Sequence, residues 1–326
     1  MTRSLLVFLG VISAVFPSLA VLPGSPEARL RQPVLTETPV ELGAIVVRAT
    51  AGAPEVFLPD VQGTEIFAGK KTARLSPAET GAGPTNNFRL ALSQTPGLFL
   101  SEETTPLVSI GGRGFDPHRA QFYQVLKDGI PIHADPFGYP EAYYTPPLSA
   151  VQSIELVRGG GSLLYGPQPA GTINFVTYAP RTDRPFHLTT ENTFGSYGLF
   201  TNYTAVDGTV DRVGYLAYFN HRQADGFRTT NSDYTLHTGT AKMVLTLTPA
   251  SRLIFNVDAT DEEHGEPGGL APDRAPVTPN TRFYSRDRNI ATRTFDRFRL
   301  ERYAAYAKYQ HDLDTDTLLE IATWGG

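Results

Sequence analysis

The sequence contains no cysteine. That absence excludes a disulfide scaffold, a thiolate metal site and a cysteine nucleophile, and it fits cytosol and periplasm equally. Positive charge is not in excess: 28 Lys and Arg against 33 Asp and Glu leave a net charge of −5, so no basic footprint argues for nucleic acid. Beyond the first twenty residues no apolar run is long enough for a membrane helix. Catalytic signatures are also missing. Gly159, Gly160 and Gly161 are not followed by Gly-Lys-Ser/Thr, and no Gly-x-Ser-x-Gly elbow occurs. His264 beside Glu262 and Glu263 reads as a solvated loop rather than a metal site. Neither an enzyme nor a resident metal or cofactor is expected.

What the chain does have is 15 Tyr, 19 Phe and 30 Gly with only 19% charged residues, a mixture suited to β-structure with many turns. Residues 1–20 read as a cleaved secretion signal. Arg3 supplies the positive start, Leu5 to Phe16 the apolar run, and Ser18-Leu19-Ala20 the small residues before the cut. Residues 21–56 read as an extended linker, Pro-rich over 21–40. Within it, Glu41, Leu42, Gly43, Ala44, Ile45, Val46, Val47, Arg48 and Ala49 form a short β-branched run, which is either an edge strand or a strand offered to another protein's sheet.

Residues 57–180 read as a small α+β domain of short strands with glycine corners. Val108 to Ile110 ends at Gly111-Gly112-Arg113-Gly114, Tyr123 to Lys127 runs into the turn signal Asp128-Gly129, and Val151 to Val157 ends at Arg158 and three glycines. From 186 to 326 the pattern changes to segments of about ten residues with alternating polarity, as in Leu253, Phe255, Val257 and Ala259 against Arg252, Asn256, Asp258 and Thr260. Seven strands are expected: 186–194, 199–206, 212–220, 235–248, 251–261, 299–311 and 317–324. Connections 207–211, 249–250 and 312–316 are short, and 221–234 and 262–298 are long; only 195–198 breaks the alternation. Short turns at one end and long loops at the other characterise outer-membrane barrels.

The segments Val125 to Ile132, Ile154 to Gln168 and Gly171 to Thr177, with Ile110-Gly-Gly-Arg-Gly114, resemble the plug of TonB-dependent outer-membrane receptors. The run 41–49 then resembles a TonB box. Arg158-Gly-Gly-Gly with Tyr165-Gly-Pro-Gln, Asp135-Pro-Phe-Gly-Tyr-Pro and Glu266-Pro-Gly-Gly-Leu are similar to the ferric citrate receptor subgroup. Two positions depart from the family pattern: Lys127 stands where Leu is usual, and Gly171-Thr172 replaces Gly-Gly. No room is left between Ala20 and Glu41 for a periplasmic signalling domain.

The resemblance implies an α+β plug followed by an antiparallel transmembrane β-barrel, here about seven strands of an expected 22 or so, so the chain is expected to be part of a longer product. It implies TonB-dependent transport of an anionic ferric chelate, such as ferric citrate or a carboxylate siderophore, with iron carried only as substrate. Another siderophore, haem, cobalamin or another metal chelate is the alternative cargo; an inactive truncated product or a docking surface is the alternative class. The implied partners are TonB with its inner-membrane motor, the ferric chelate and outer-membrane lipid, with the plug on the periplasmic side. The plug-motif residues are Arg113, Gly114, Asp128, Gly129, Glu155, Arg158, Gly159, Tyr165 and Gly166, of which Arg113, Glu155 and Arg158 are expected at the plug–wall boundary. Substrate contacts are expected from His133, Asp135 and Tyr139 on the plug, with His118 and Arg119 as a second possibility, and from Arg282, Arg286, Arg288 and Arg293 in a connection with six arginines in 24 residues.

Overall fold

A computed structural model describes residues 57–93, 95–102, 107–112, 114–133, 141–159, 168–269, 290–315 and 317–326. The TonB-box run 41–49 lies outside them, as do Arg113, Asp135, Tyr139, Tyr165, Gly166, Arg282, Arg286 and Arg288.

The first part opens with a hairpin of β1 (Val61–Gln62) and β2 (Glu65–Ile66), followed by β3 (Lys71–Leu75). Two short helices come next. Helix α1 (Pro77–Thr80) has proline in its first turn, where no amide donor is needed, and ends on Gly81 at φ +66°. Helix α2 (Phe88–Leu92) starts at Asn87, whose side chain accepts the Leu90 N–H at 2.8 Å. Strands β4 (Leu98–Glu102) and β5 (Val108–Gly112) pair antiparallel. Strands β6 (Tyr123–Lys127), β7 (Ile130–Pro131), β8 (Val151–Arg158) and β9 (Gly171–Thr177) join β3 in a sheet of order β3-β8-β9-β6-β7. Leu92, Ile110, Val125, Ile154, Leu156, Ile173 and Phe175 form its core. Strand β6 is buried at every position and β8 from Ser153 to Val157, with the polar Gln124, Lys127, Ser153 and Glu155 buried among their apolar neighbours.

The second part is a seven-stranded antiparallel sheet in chain order: β10 (His187–Phe194), β11 (Phe200–Val210), β12 (Val213–Ala224), β13 (Tyr234–Thr248), β14 (Ser251–Gly265), β15 (Arg297–Asp312) and β16 (Leu318–Gly325). The strands fall where the alternation puts them, although β11, β12, β14 and β15 run longer. The turn end carries the connections 211–212, 249–250 and 313–317; the loop end carries 195–199, 225–233 and 266–296.

Polarity across this sheet is inverted relative to a soluble sandwich. The face against the first part buries Asn220, Thr238, Thr240, Lys242, Asn256, Asp258, Thr260, Glu262 and His264. The opposite face exposes Phe219, Met243, Val257, Tyr303 and Ile321. Burying a polar row while exposing an apolar band is unfavourable in water and favourable where the outer face meets hydrocarbon. Among the described residues no helix is long and apolar enough to cross a membrane.

Candidate functional site

The site is built at the β6–β7 turn. Asp128 and Gly129 both have left-handed backbones, φ +50° and +78°, the conformation a two-residue hairpin needs to follow strand twist. Asp tolerates it through local hydrogen bonds and Gly through its missing side chain. The turn is pinned from within its own sheet: the Asp128 N–H donates to the Phe175 carbonyl at 3.0 Å and the Gly129 N–H to Asn174 Oδ1 at 2.9 Å.

From this turn two adjacent residues of opposite charge reach the wall. Lys127 Nζ meets Asp258 Oδ1 on β14 at 2.5 Å, with Thr240 Oγ1 at 3.5 Å. The Asp128 carboxylate accepts the Thr177 N–H and hydroxyl, each at 2.8 Å, Lys242 Nζ from β13 at 3.0 Å and the Tyr306 hydroxyl from β15 at 3.0 Å. Lys242 also donates to Thr177 Oγ1. Lys308 Nζ donates to the Asp128 carbonyl at 2.6 Å. The Asp258 carboxylate additionally accepts the Thr240 hydroxyl at 2.7 Å and Asn256 Nδ2 at 3.0 Å. The result is a crossed pair of ion pairs, Lys127–Asp258 and Asp128–Lys242, whose four charges sum to zero and whose spare lone pairs are filled. Such completeness is what makes buried charge tolerable.

Burial opposes charge on Lys127, yet the attraction of Tyr218, Asp258 and Asp128 outweighs it and raises the ammonium above its ordinary range. Burial likewise opposes charge on Asp128, but Lys242, Lys127 and the Thr177 N–H hold the carboxyl below its ordinary range. The depressed Asp128 contributes stability that is complete above the unfolded carboxylate value of about 4 and is lost as pH falls through its lower folded value. The raised Lys127 contributes stability that is complete below about 10.4 and is lost as pH rises through its higher folded value. The difference in unfolding temperature between the native chain and Asp128→Asn is therefore expected to stay constant between about pH 5 and 9. A step inside that window, measured by circular dichroism in micelles, would mean that the pairs share a proton.

A second cluster stands at the loop end. Arg119 and Ala120 occupy consecutive left-handed conformations, φ +44° and +55°, costing about 1–2 kcal/mol each. The Arg119 N–H donates to Ser109 Oγ at 3.1 Å. Its guanidinium lies 4.8 Å from the Tyr143 ring centre and 5.5 Å from that of Phe298 on β15, and these two rings stack at 5.6 Å. Glu141 and Glu266 lie 3.8 and 3.6 Å from it. His264, fully buried on β14, stacks on Phe298 and pairs through Nδ1 with Glu262 at 2.7 Å. Arg119 thus ties the first part to β14 and β15 at a second height.

Between the two clusters lies a cavity of about 490 Å³ lined by Lys127, Ile132, His133, Tyr143, Tyr144, Arg302 and Tyr306, among others. Its size falls within the range of small-molecule sites. Arg302 lies over the Tyr144 ring at 4.6 Å, and its Nη1 is buried with no hydrogen-bond partner among the described residues.

The residues expected from sequence are distributed unevenly. Asp128 and Gly129 sit at the boundary. Glu155 does not pair with the wall: it is buried within the first sheet, accepting Gln62 Nε2 at 3.3 Å and Asn174 Nδ2 at 3.0 Å. Arg158 ends β8, and Gly159, at φ +73°, turns the chain after it. Gly114 is also left-handed, φ +84°. His133 lines the cavity, but its Nε2 accepts the Val125 N–H at 2.8 Å and so also holds the chain beyond β7. Arg293 is exposed and paired with Asp296 at 2.8 Å. Lys127, noted in the sequence only as a departure, carries the main ion pair. Arg302 lies on the polar, plug-facing side of β15, and nothing in the sequence singles it out from its neighbours.

A family model described as TonB-dependent Receptor Plug Domain matches residues 68–173. Among solved structures, the unliganded ferric citrate transporter FecA is 27% identical, with a TM-score of 0.60, covering 82% of this chain and 39% of its own. The ferric-catecholate import receptor Fiu of E. coli K12 in its open form is 17% identical, with a TM-score of 0.64, covering 83% and 41%. FpvA of P. aeruginosa bound to heterologous pyoverdines is 18% identical, with a TM-score of 0.62, covering 78% and 33%. The chain therefore spans about two fifths or less of the length of these three.

Proposed function

From the premise that this chain is a TonB-dependent receptor over its plug and seven wall strands, we propose that it serves TonB-dependent transport of an anionic ferric chelate across the outer membrane. Ferric citrate or a carboxylate siderophore is the cargo the site fits best. The plug faces the periplasm at the turn end of the strands, and the loop end faces outward. TonB engages residues 41–49 by strand addition. No covalent step is involved; binding and a movement of the plug are the whole mechanism. The likeness to the ferric citrate transporter supports the cargo class.

One observation carries the anionic cargo. Arg302 lines a cavity of suitable size, and its Nη1, buried beside that space, has no hydrogen-bond partner among the described residues. A buried N–H short of an acceptor is costly, and a ligand carboxylate reached by a small turn of the side chain removes that cost. Lys127 and His133 line the same space, together with Asp258, which Lys127 neutralises, and Glu301, which Arg299 neutralises. A carboxylate meets that N–H with a charge-assisted bond, roughly twice as strong as one to a neutral oxygen.

The test is binding of ferric citrate to protein made from the gene that carries this sequence, by tryptophan quenching or calorimetry. Arg302→Ala is expected to weaken it by about 1.5–3 kcal/mol, roughly ten- to a hundredfold. Arg293→Ala, whose guanidinium is exposed and already paired, is expected to change it less than about threefold. Tight binding of haem with none of any ferric carboxylate would replace this cargo with another of the same family.

A further inference from the structure

One row of side chains on the outward face takes no part in that function. Reading across the strands near the loop end, Asn202, His221, His237, Asp261 and Glu301 are successive cross-strand partners on β11, β12, β13, β14 and β15. Side chains directly opposite in such a row stand about 4.5–5.5 Å apart at Cβ. Here His221 and His237 turn their rings toward each other, with Nδ1 to Nδ1 at 3.2 Å and ring centres at 4.7 Å.

We propose that His221 and His237 form a chelating site for a divalent transition-metal ion, zinc or copper(II), with Asp261 beside it. The distance is the first argument. Two imidazole nitrogens bound to one ion at about 2.0–2.1 Å lie about 2.9–3.4 Å apart for angles between square and tetrahedral. The observed 3.2 Å falls inside that interval, so the ligands need almost no movement.

Tautomer is the second argument. His221 Nε2 lies 3.2 Å from Gln223 Oε1, an acceptor, which fixes the proton on Nε2 and leaves the Nδ1 lone pair directed at His237. In the metal-free pair His237 Nδ1–H donates to that lone pair. On binding, His237 moves its proton to Nε2 and both Nδ1 atoms face the ion, with no net proton released from a neutral pair.

The surroundings give the third. Phe219 stacks against His237 with ring centres 5.9 Å apart, and Phe200 lies 5.8 Å from His221, so the two rings are held between aromatic walls on paired strands. Asp261, in register beside His237, adds negative charge; Arg299, 3.9 Å away, engages it only at long range. The charged neighbours Asp261, Glu263, Arg297, Arg299 and Glu301 place the row above the apolar band, where aqueous ions reach it.

The experiment uses the full chain in detergent micelles, stripped with chelator. Zinc is titrated by calorimetry, and copper(II) by electron paramagnetic resonance. One equivalent is expected, with superhyperfine splitting from two nitrogens. His221→Gln and His237→Gln are each expected to weaken binding by at least about tenfold, while far-ultraviolet circular dichroism stays unchanged. Unaltered affinity in the double variant, or absence of binding to the native chain, would overturn the proposal and leave a hydrogen-bonded pair only.

Discussion

Lys127→Ala is expected to weaken plug–wall docking by about 3–5 kcal/mol, because it leaves the Asp258 carboxylate buried without its counter-ion. Both side chains are almost inaccessible, 2% for Lys127 and 5% for Asp258. Solvent therefore cannot replace the missing ammonium. The Thr240 hydroxyl and Asn256 amide remain on the carboxylate, which places the effect toward the lower end of that range. Asp258→Asn should cost less than Lys127→Ala, since a neutral amide still accepts from Lys127. Lys127→Leu with Asp258→Leu is expected to recover most of the loss, since an apolar pair of similar volume avoids both desolvation costs. The readout is protease sensitivity of the first part together with the unfolding midpoint. Additive losses in the double variant would show that the two residues do not act as a pair.

The crossed arrangement also bears on how the plug moves. Lys127 and Asp128 are neighbours in the chain and bind wall partners of opposite sign on β14 and β13. A shift of the turn by one residue would bring either Lys127 to Lys242 or Asp128 to Asp258, according to its direction, a repulsive contact in a dry site. The register of docking is thus specified by sign as well as shape. Freeing the turn requires breaking both pairs and the Lys308 and Tyr306 hydrogen bonds together, so docking is all or none.

Much of this was legible in the sequence, and what was not has a common cause. Period-two alternation located seven strands because one face meets the plug and the other hydrocarbon, and each residue reports its own face. Asp128-Gly129 announced a turn because few residues tolerate two left-handed conformations in succession. Partners were not legible. Glu155 was expected at the wall as a charge in a motif, yet Gln62 and Asn174 satisfy it inside the plug. Lys127 stood out only as an unexpected residue in an apolar strand; its meaning lies in Asp258, 131 residues away. Arg302 shares a polar face with Tyr306 and Lys308, and alternation cannot say which member lacks a partner. The His221–His237 pair depends on the register of β12 against β13, which the long connection 225–233 leaves unspecified in the sequence.

Proline at position 46 or 47 is expected to abolish energised uptake while leaving ferric chelate binding intact. Strand addition draws its affinity from backbone hydrogen bonds, so side chains at Val46 and Val47 matter mainly for keeping the segment extended. Val→Ala at either site should therefore change uptake little. Proline removes the N–H, fixes φ near −65° and restricts the residue before it. Each lost backbone bond at an interface costs about 1–3 kcal/mol, and the altered φ disturbs the bonds on either side. Because successive amides in a strand point in opposite directions, one of the two prolines deletes a donor facing the partner, and the other acts through conformation alone. The variant that deletes the donor is expected to be the more severe. Binding is proposed to depend on Arg302 and its cavity, far along the chain from residues 41–49, so the equilibrium constant for the chelate should not move. Radioactive iron uptake in cells with and without an energised inner membrane, set beside binding to the purified protein, separates the two steps. Normal uptake by both proline variants would remove residues 41–49 from the coupling step and leave the plug–wall latch to be released by some other contact.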